Sequence, residues 1–143
     1  MVIKMSKFLE KQLKINDAKL FINGEYVNAS SGETFDTINP ATNQKLASVA
    51  SASVHDVECA IQVAQTTFES GIWSKMAIEE RAKILCRMSD LVMARVDELA
   101  LLETLDVGKP IKESRDFDIP RAASNLRFFA EMAKYIHHEH YPQ

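Results

Sequence analysis

The strongest constraint on this chain is a mismatch between its two parts. Lys19 to Ala50 reads as short strands and turns, whereas Ser53 to His138 reads as nearly all helix. Amphipathic helices need a surface to lie on. The early strands have the look of edge hairpins, and nothing resembles the long buried parallel strands that such helices usually cover. Two arrangements stay open: the helices pack on each other as a bundle, or the chain is the front portion of something larger.

The strand half is legible from its turns. In "KLFINGEYVN", Asn23-Gly24 stands between two short apolar runs and accepts the positive φ angles of a type I′ hairpin turn. Thr34 to Ile38 alternates as a short strand after "SSGE", "NPATNQ" is a loop because Asn39 precedes a proline, and "KLASVA" is a further strand.

The helical half opens at Ser53, an N-cap, with Asp56 placed to complement the free amides of the first turn. Val54, Val57, Ile61, Ala64 and Phe68 then mark one helical face, which ends at Gly71. A second helix spans about Ala77 to Arg95, with Ile84, Leu85, Met88, Leu91 and Val92 as its buried face. Trp73 is read as an anchor between these two helices. A third helix, Asp97 to Leu105, buries Leu99, Leu102 and Leu105 and stops at "DVGKP", where Gly108 suits a left-handed cap. The fourth carries a core stripe of Ile119, Ala122, Ala123, Leu126, Phe129, Ala130 and Ala133. Pro120 belongs in a first turn. Either this helix starts near Asp118, or a turn from Ile111 joins it with a kink.

Bulk properties narrow the function classes. The 143 residues suffice for one domain, and 46% hydrophobic with 26% charged residues is ordinary for a globular protein. A net charge of -3 gives no electrostatic reason to expect nucleic acid or an anionic membrane as partner. No apolar run approaches the ~20 residues that span a bilayer. Cys59 and Cys86 are far apart and form neither a disulfide framework nor a metal-ligand spacing, which fits a reducing, cytoplasmic setting. Residues 1–18 read as an N-terminal extension without the features of a secretion signal.

The order of motifs carries a resemblance. "FINGEYV", "SGETFDTINPATNQKLASVA", "ERAKILCRMSDLV", "LALLETLDVGKPIKES" and "RFFAEMA" together resemble the N-terminal part of the NAD(P)-dependent aldehyde dehydrogenase superfamily. "DIPRAASNLRFFA" is similar to the branch acting on hydroxymuconic and aminomuconic semialdehydes, which carry a carboxylate beside the aldehyde. The resemblance implies an α/β fold of which residues 19–143 form the first part of the coenzyme-binding domain, truncated before the dinucleotide-binding core and the catalytic domain. It implies NAD or NADP as cofactor of the full-length enzyme and none bound by this segment alone. The partners it implies are a small-molecule aldehyde and the remainder of the enzyme or identical subunits.

Site residues follow. The helix matching Arg121 borders the substrate funnel in the family. Arg121 lies with Ser114, Asp118, Asn125 and Phe128 at steps of three or four, off the core stripe. A guanidinium there binds a substrate carboxylate through two parallel hydrogen bonds, with Asn125 as an added donor. The competing reading is an ordinary i,i+3 ion pair between Arg121 and Asp118. Asp106, with Thr37 and Ile38, matches positions where some family members hold a monovalent cation. His137, His138 and His140 lack the i,i+4 spacing of a helical metal site.

The family's cysteine nucleophile, glutamate base and oxyanion cradle lie beyond this stretch. Cys59 and Cys86 read as packing residues, so no catalytic residue is assigned. The four glycines make no Gly-rich phosphate loop. The expectation is a chain inactive by itself. The alternative is a stand-alone interaction module whose apolar helix faces dock onto a partner subunit.

Overall fold

Asn23 and Gly24 adopt φ of 56° and 80°, and the tight turn they make sets the first hairpin. The computed structural model describes residues 15–135. Strands β1 (Leu20–Ile22) and β2 (Glu25–Val27) pair antiparallel, with Phe21 opposite Tyr26. Their rings stand 5.0 Å apart across the strands.

The second hairpin pairs β3 (Thr34–Asn39) with β4 (Gln44–Ala50), and its register shifts between Thr37 and Ile38. Asn39 shapes the turn: its side-chain oxygen accepts the Ala41 amide at 2.8 Å. The residues just before β1 are tied in as well. The Ala18 amide donates to the Ser48 carbonyl at 2.8 Å, the Ala50 amide donates to the Ala18 carbonyl at 2.9 Å, and Asp17 accepts the Ser48 amide at 2.8 Å. Asp17 and Ala18, assigned above to the extension, thus lie along β4.

Helix α1 (Val54–Ser70) starts at a full capping box. Ser53 Oγ accepts the Asp56 amide while Asp56 accepts the Ser53 amide, and Gly71 closes the far end in the left-handed region at φ 77°. Helices α2 (Ile78–Ala94) and α3 (Val96–Val107) follow with only Arg95 between them. Arg95 forms a two-pronged ion pair with Glu98 in the first turn of α3. Gly108 caps α3 at φ 79°, and a Cβ there would come within 2.7 Å of Pro40. The "NPAT" loop and the "DVGKP" cap are therefore in direct contact, and only glycine fits between them.

The chain then makes a short turn, α4 (Ile111–Glu113), a π-helical stretch over Ser114–Asp118, and α5 (Ile119–Ala133). Of the two arrangements the sequence left open at Pro120, the kinked entry from Ile111 is the one found. The Ile119 amide donates to the Ser114 carbonyl, five residues back. Proline has no amide to give and its ring crowds the carbonyl four residues earlier, so a widened turn before Pro120 relieves both problems.

The core lies where α2 crosses α5, and small residues make it. Ala82, Ala123 and Ala130 are buried, and Ser89 Oγ donates to the Ala123 carbonyl at 2.7 Å. Asp90 pairs with Arg127 and Cys86 with Glu131, so the two helices run antiparallel. This corrects the expected faces. Ile84, Met88 and Leu91 of α2, and Ala122 and Phe129 of α5, are exposed, because the close approach is made through alanine and serine and the bulky residues fall outside the seam. On α3 the fully buried pair is Ala100 and Leu101, while Leu99, Leu102 and Leu105 are half-buried. The face assigned on α1 is open: Val54, Val57, Ile61 and Phe68 are all exposed. Trp73, in the turn between α1 and α2, is 40% exposed.

Candidate functional site

The π-helical stretch sorts the predicted Arg121 stripe into two groups. Arg121, Asn125 and Phe128 lie on α5 itself, and all three are exposed. Ser114 does not join them. It is 0% exposed, and its hydroxyl is buried without a partner among the described residues. The stripe was drawn with α-helical steps throughout, and the wider turn over Ser114–Asp118 rotates Ser114 onto the α3 side. Arg115 holds that stretch to α3 through an ion pair of 2.6 Å with Asp97.

Asp118, at the junction of the π stretch and α5, is half-buried and forms its ion pair with Lys109, the residue after the α3 cap. The i,i+3 pair with Arg121 is not made. Among the described residues, Arg121 takes part in no ion pair. Elsewhere on this surface Phe117 is exposed, and Phe128 and Phe129 meet edge to face at 5.2 Å. Lys109 is the residue that sequence reasoning passed over. Nothing local signals the pairing of Lys109 with Asp118, which needs the turn at Gly108 to be built first.

Thr37 and Asp106 are brought together from β3 and α3. The Thr37 hydroxyl donates to the Asp106 carboxylate at 2.5 Å. Both line an open, mostly apolar groove of about 550 Å³ together with Phe35, Leu102 and Val107. Ile38 follows the register shift in β3 and is 41% exposed. Among the described residues, no cluster of three or more His, Cys, Asp or Glu side chains is placed to hold a metal ion. His137, His138 and His140 lie outside the described residues.

The cysteines have settled environments. The Cys86 thiol donates to Glu131 at 3.3 Å, and burial together with that carboxylate pushes its pKa up. A nucleophilic cysteine needs the opposite shift. Cys59 is exposed on α1, with its sulfur 3.7 Å from His55 Nε2. The strongest local electrostatic feature is Asp56. It accepts the Ser53 amide at 2.8 Å, the Ser53 hydroxyl at 2.9 Å and the Ser30 amide at 3.1 Å. Those donors hold its carboxyl at about 2, against an ordinary 3.8.

A model described as the aldehyde dehydrogenase family matches residues 26–143, which begins within β2 and takes in the second hairpin and every described helix. The chain belongs to the aldehyde dehydrogenase family. The NADP/NAD-dependent aldehyde dehydrogenase PuuC of Escherichia coli (strain K12) is 44% identical over 121 residues, covering 85% of this chain and 24% of that protein. A 2-hydroxymuconic semialdehyde dehydrogenase from Pseudomonas sp. (strain CF600) is 42% identical over 122 residues, covering 85% of this chain and 25% of its own length. Among solved structures, the aldehyde dehydrogenase KauB from Pseudomonas aeruginosa superposes with a TM-score of 0.90 at 46% identity, covering 94% of this chain and 27% of that one. The chain thus spans about a quarter of the length of the aldehyde dehydrogenases it matches. The family and the fold that the motifs implied are both borne out.

Proposed function

We propose that this chain is the first segment of an NAD(P)-dependent aldehyde dehydrogenase that oxidises carboxylate-bearing semialdehydes from aromatic catabolism, and that Arg121 grips the substrate carboxylate. One observation carries this reading. Arg121 is exposed on α5 beside Asn125 and Phe128 while Asp118, the acid one turn back, is occupied by Lys109. A guanidinium that makes no ion pair among the described residues suits a substrate carboxylate. The 2-hydroxymuconic semialdehyde dehydrogenase among the relatives agrees in substrate class.

The placement of the glycines supports a segment that holds no dinucleotide itself. Gly24 serves a hairpin turn, Gly71 and Gly108 close helices at their C-termini, and no glycine opens a helix toward a phosphate. In the reading proposed here, NAD or NADP is held by the rest of the enzyme, where it accepts the hydride, and this chain alone is inactive. The exposed apolar face of α1 then docks on that remainder or on an identical subunit. On the same footing, Thr37, Ile38 and Asp106 are the positions for a monovalent cation. A cytoplasmic location belongs to the same proposal. Among the described residues, no helix is long and apolar enough to cross a membrane.

The test is Arg121→Ala in a complete enzyme carrying this segment. KM for a muconic semialdehyde is expected to rise about 10- to 100-fold, the usual range for a lost hydrogen bond to a charged group, with far less change for a neutral aldehyde. Equal effects on the two substrates would sink the reading.

A further inference from the structure

Arg121 has a competitor for any substrate carboxylate, and it lies in the same chain. Asp118 stands three residues before Arg121, with the acid N-terminal to the base, the spacing and order in which helical ion pairs form readily. Asp118 does not make that contact because Lys109 holds it. Lys109 and Asp118 are 34% and 32% exposed, so the pair is partly shielded from water, and Asp118 Oδ2 itself is buried. The other cation within one turn, Arg115, is committed to Asp97 at 2.6 Å. Lys109 also sits in the field of Glu103 and Glu113, and the Asp118 hydrogen bond leads in raising its pKa, so it stays charged.

The position of Lys109 is fixed by the backbone. Gly108 closes α3 in the left-handed conformation and packs on Pro40, which sends the chain back toward the π stretch where Asp118 lies. The ion pair therefore joins the end of α3 to the start of α5.

We infer that Lys109 is a positioning residue for specificity: by holding Asp118, it keeps the Arg121 guanidinium free to take a substrate carboxylate. This rests on the reading of Arg121 given above. Without Lys109, Asp118 would retain a partly buried charge, and Arg121 is the cation one turn away on the same helix. Substrate would then have to displace an internal carboxylate before binding.

The readout is the ratio of kcat/KM for a muconic semialdehyde to that for a neutral aldehyde, in a complete enzyme carrying this segment. Lys109→Met is expected to lower the ratio about twofold, the scale of a competing one-turn ion pair, and to do so through KM. Lys109→Arg should preserve it. Adding Asp118→Asn to Lys109→Met should restore it, because the competing charge is gone. Failure of that restoration overturns the inference, as does loss of turnover on both aldehydes that Asp118→Asn does not repair. If Arg121→Ala collapses the ratio while Lys109→Met leaves it alone, only the role of Lys109 falls. If Arg121→Ala itself leaves the ratio unchanged, the carboxylate reading falls and takes this one with it.

Discussion

The pair α2 and α5 and the single helix α1 are built on opposite plans. The pair closes on itself. Ala82, Ser89, Ala123 and Ala130 let the two backbones come close, and the Ser89 hydroxyl bridges them at 2.7 Å. Among the described residues, helix α1 touches little besides β1. It is fastened at its first turn, where Asp56 reaches the Ser30 amide, and beyond that turn Val57, Ile61 and Phe68 are exposed while Ala60 and Val63 are half-buried. Ile61 and Phe68 are 62% and 70% exposed, which in a finished surface would be a liability. A seam of small residues is an internal joint, and the face of large exposed ones is the face proposed above to dock.

The contrast can be broken at two points. The largest effect is expected at the seam. Ala130 is 0% exposed, so Ala130→Leu has no room and should cost about 1–3 kcal/mol in denaturant unfolding, as overpacked cores do. An unchanged midpoint would mean that α2 and α5 are not pressed together as described.

A smaller effect is expected at the fastening of α1. The Asp56 carboxyl titrates at about 2 in the folded chain against an ordinary 3.8, so the folded state binds fewer protons. Its contribution is fully present above pH ~3.8 and is lost as pH falls through ~2. Proton titration followed at the Ser30 and Ser53 amides should show the loss in that window, and Asp56→Asn should flatten it. A profile that Asp56→Asn leaves unchanged would place the acid sensitivity elsewhere.

Most of the architecture was legible in the sequence because local chemistry dictates it. Asn23-Gly24, the Ser53 and Asp56 box, and the caps at Gly71 and Gly108 each need only their neighbours to form. Which face is buried was less legible. Periodicity weights large apolar residues, so it chose Ile84, Met88 and Leu91, whereas the seam uses alanine and serine, which carry little hydropathy but permit close approach. The π stretch was foreshadowed by Pro120 but not its consequence, the turning of Ser114 into the interior. In the candidate site, Arg121 and Asn125 could be placed on one face from spacing alone. The Lys109 pairing could not, since it depends on where the chain goes after Gly108.

The central claim is that α1 is shaped to be covered by protein outside this chain. Hydrogen exchange measured segment by segment tests it most directly, with the chain alone compared with a complete enzyme carrying it. The account predicts that the α2 and α5 amides are protected in both, and that the α1 amides beyond the first turn gain strong protection only in the complete enzyme. Protection of α1 in the isolated chain equal to that of α2 and α5 would contradict it.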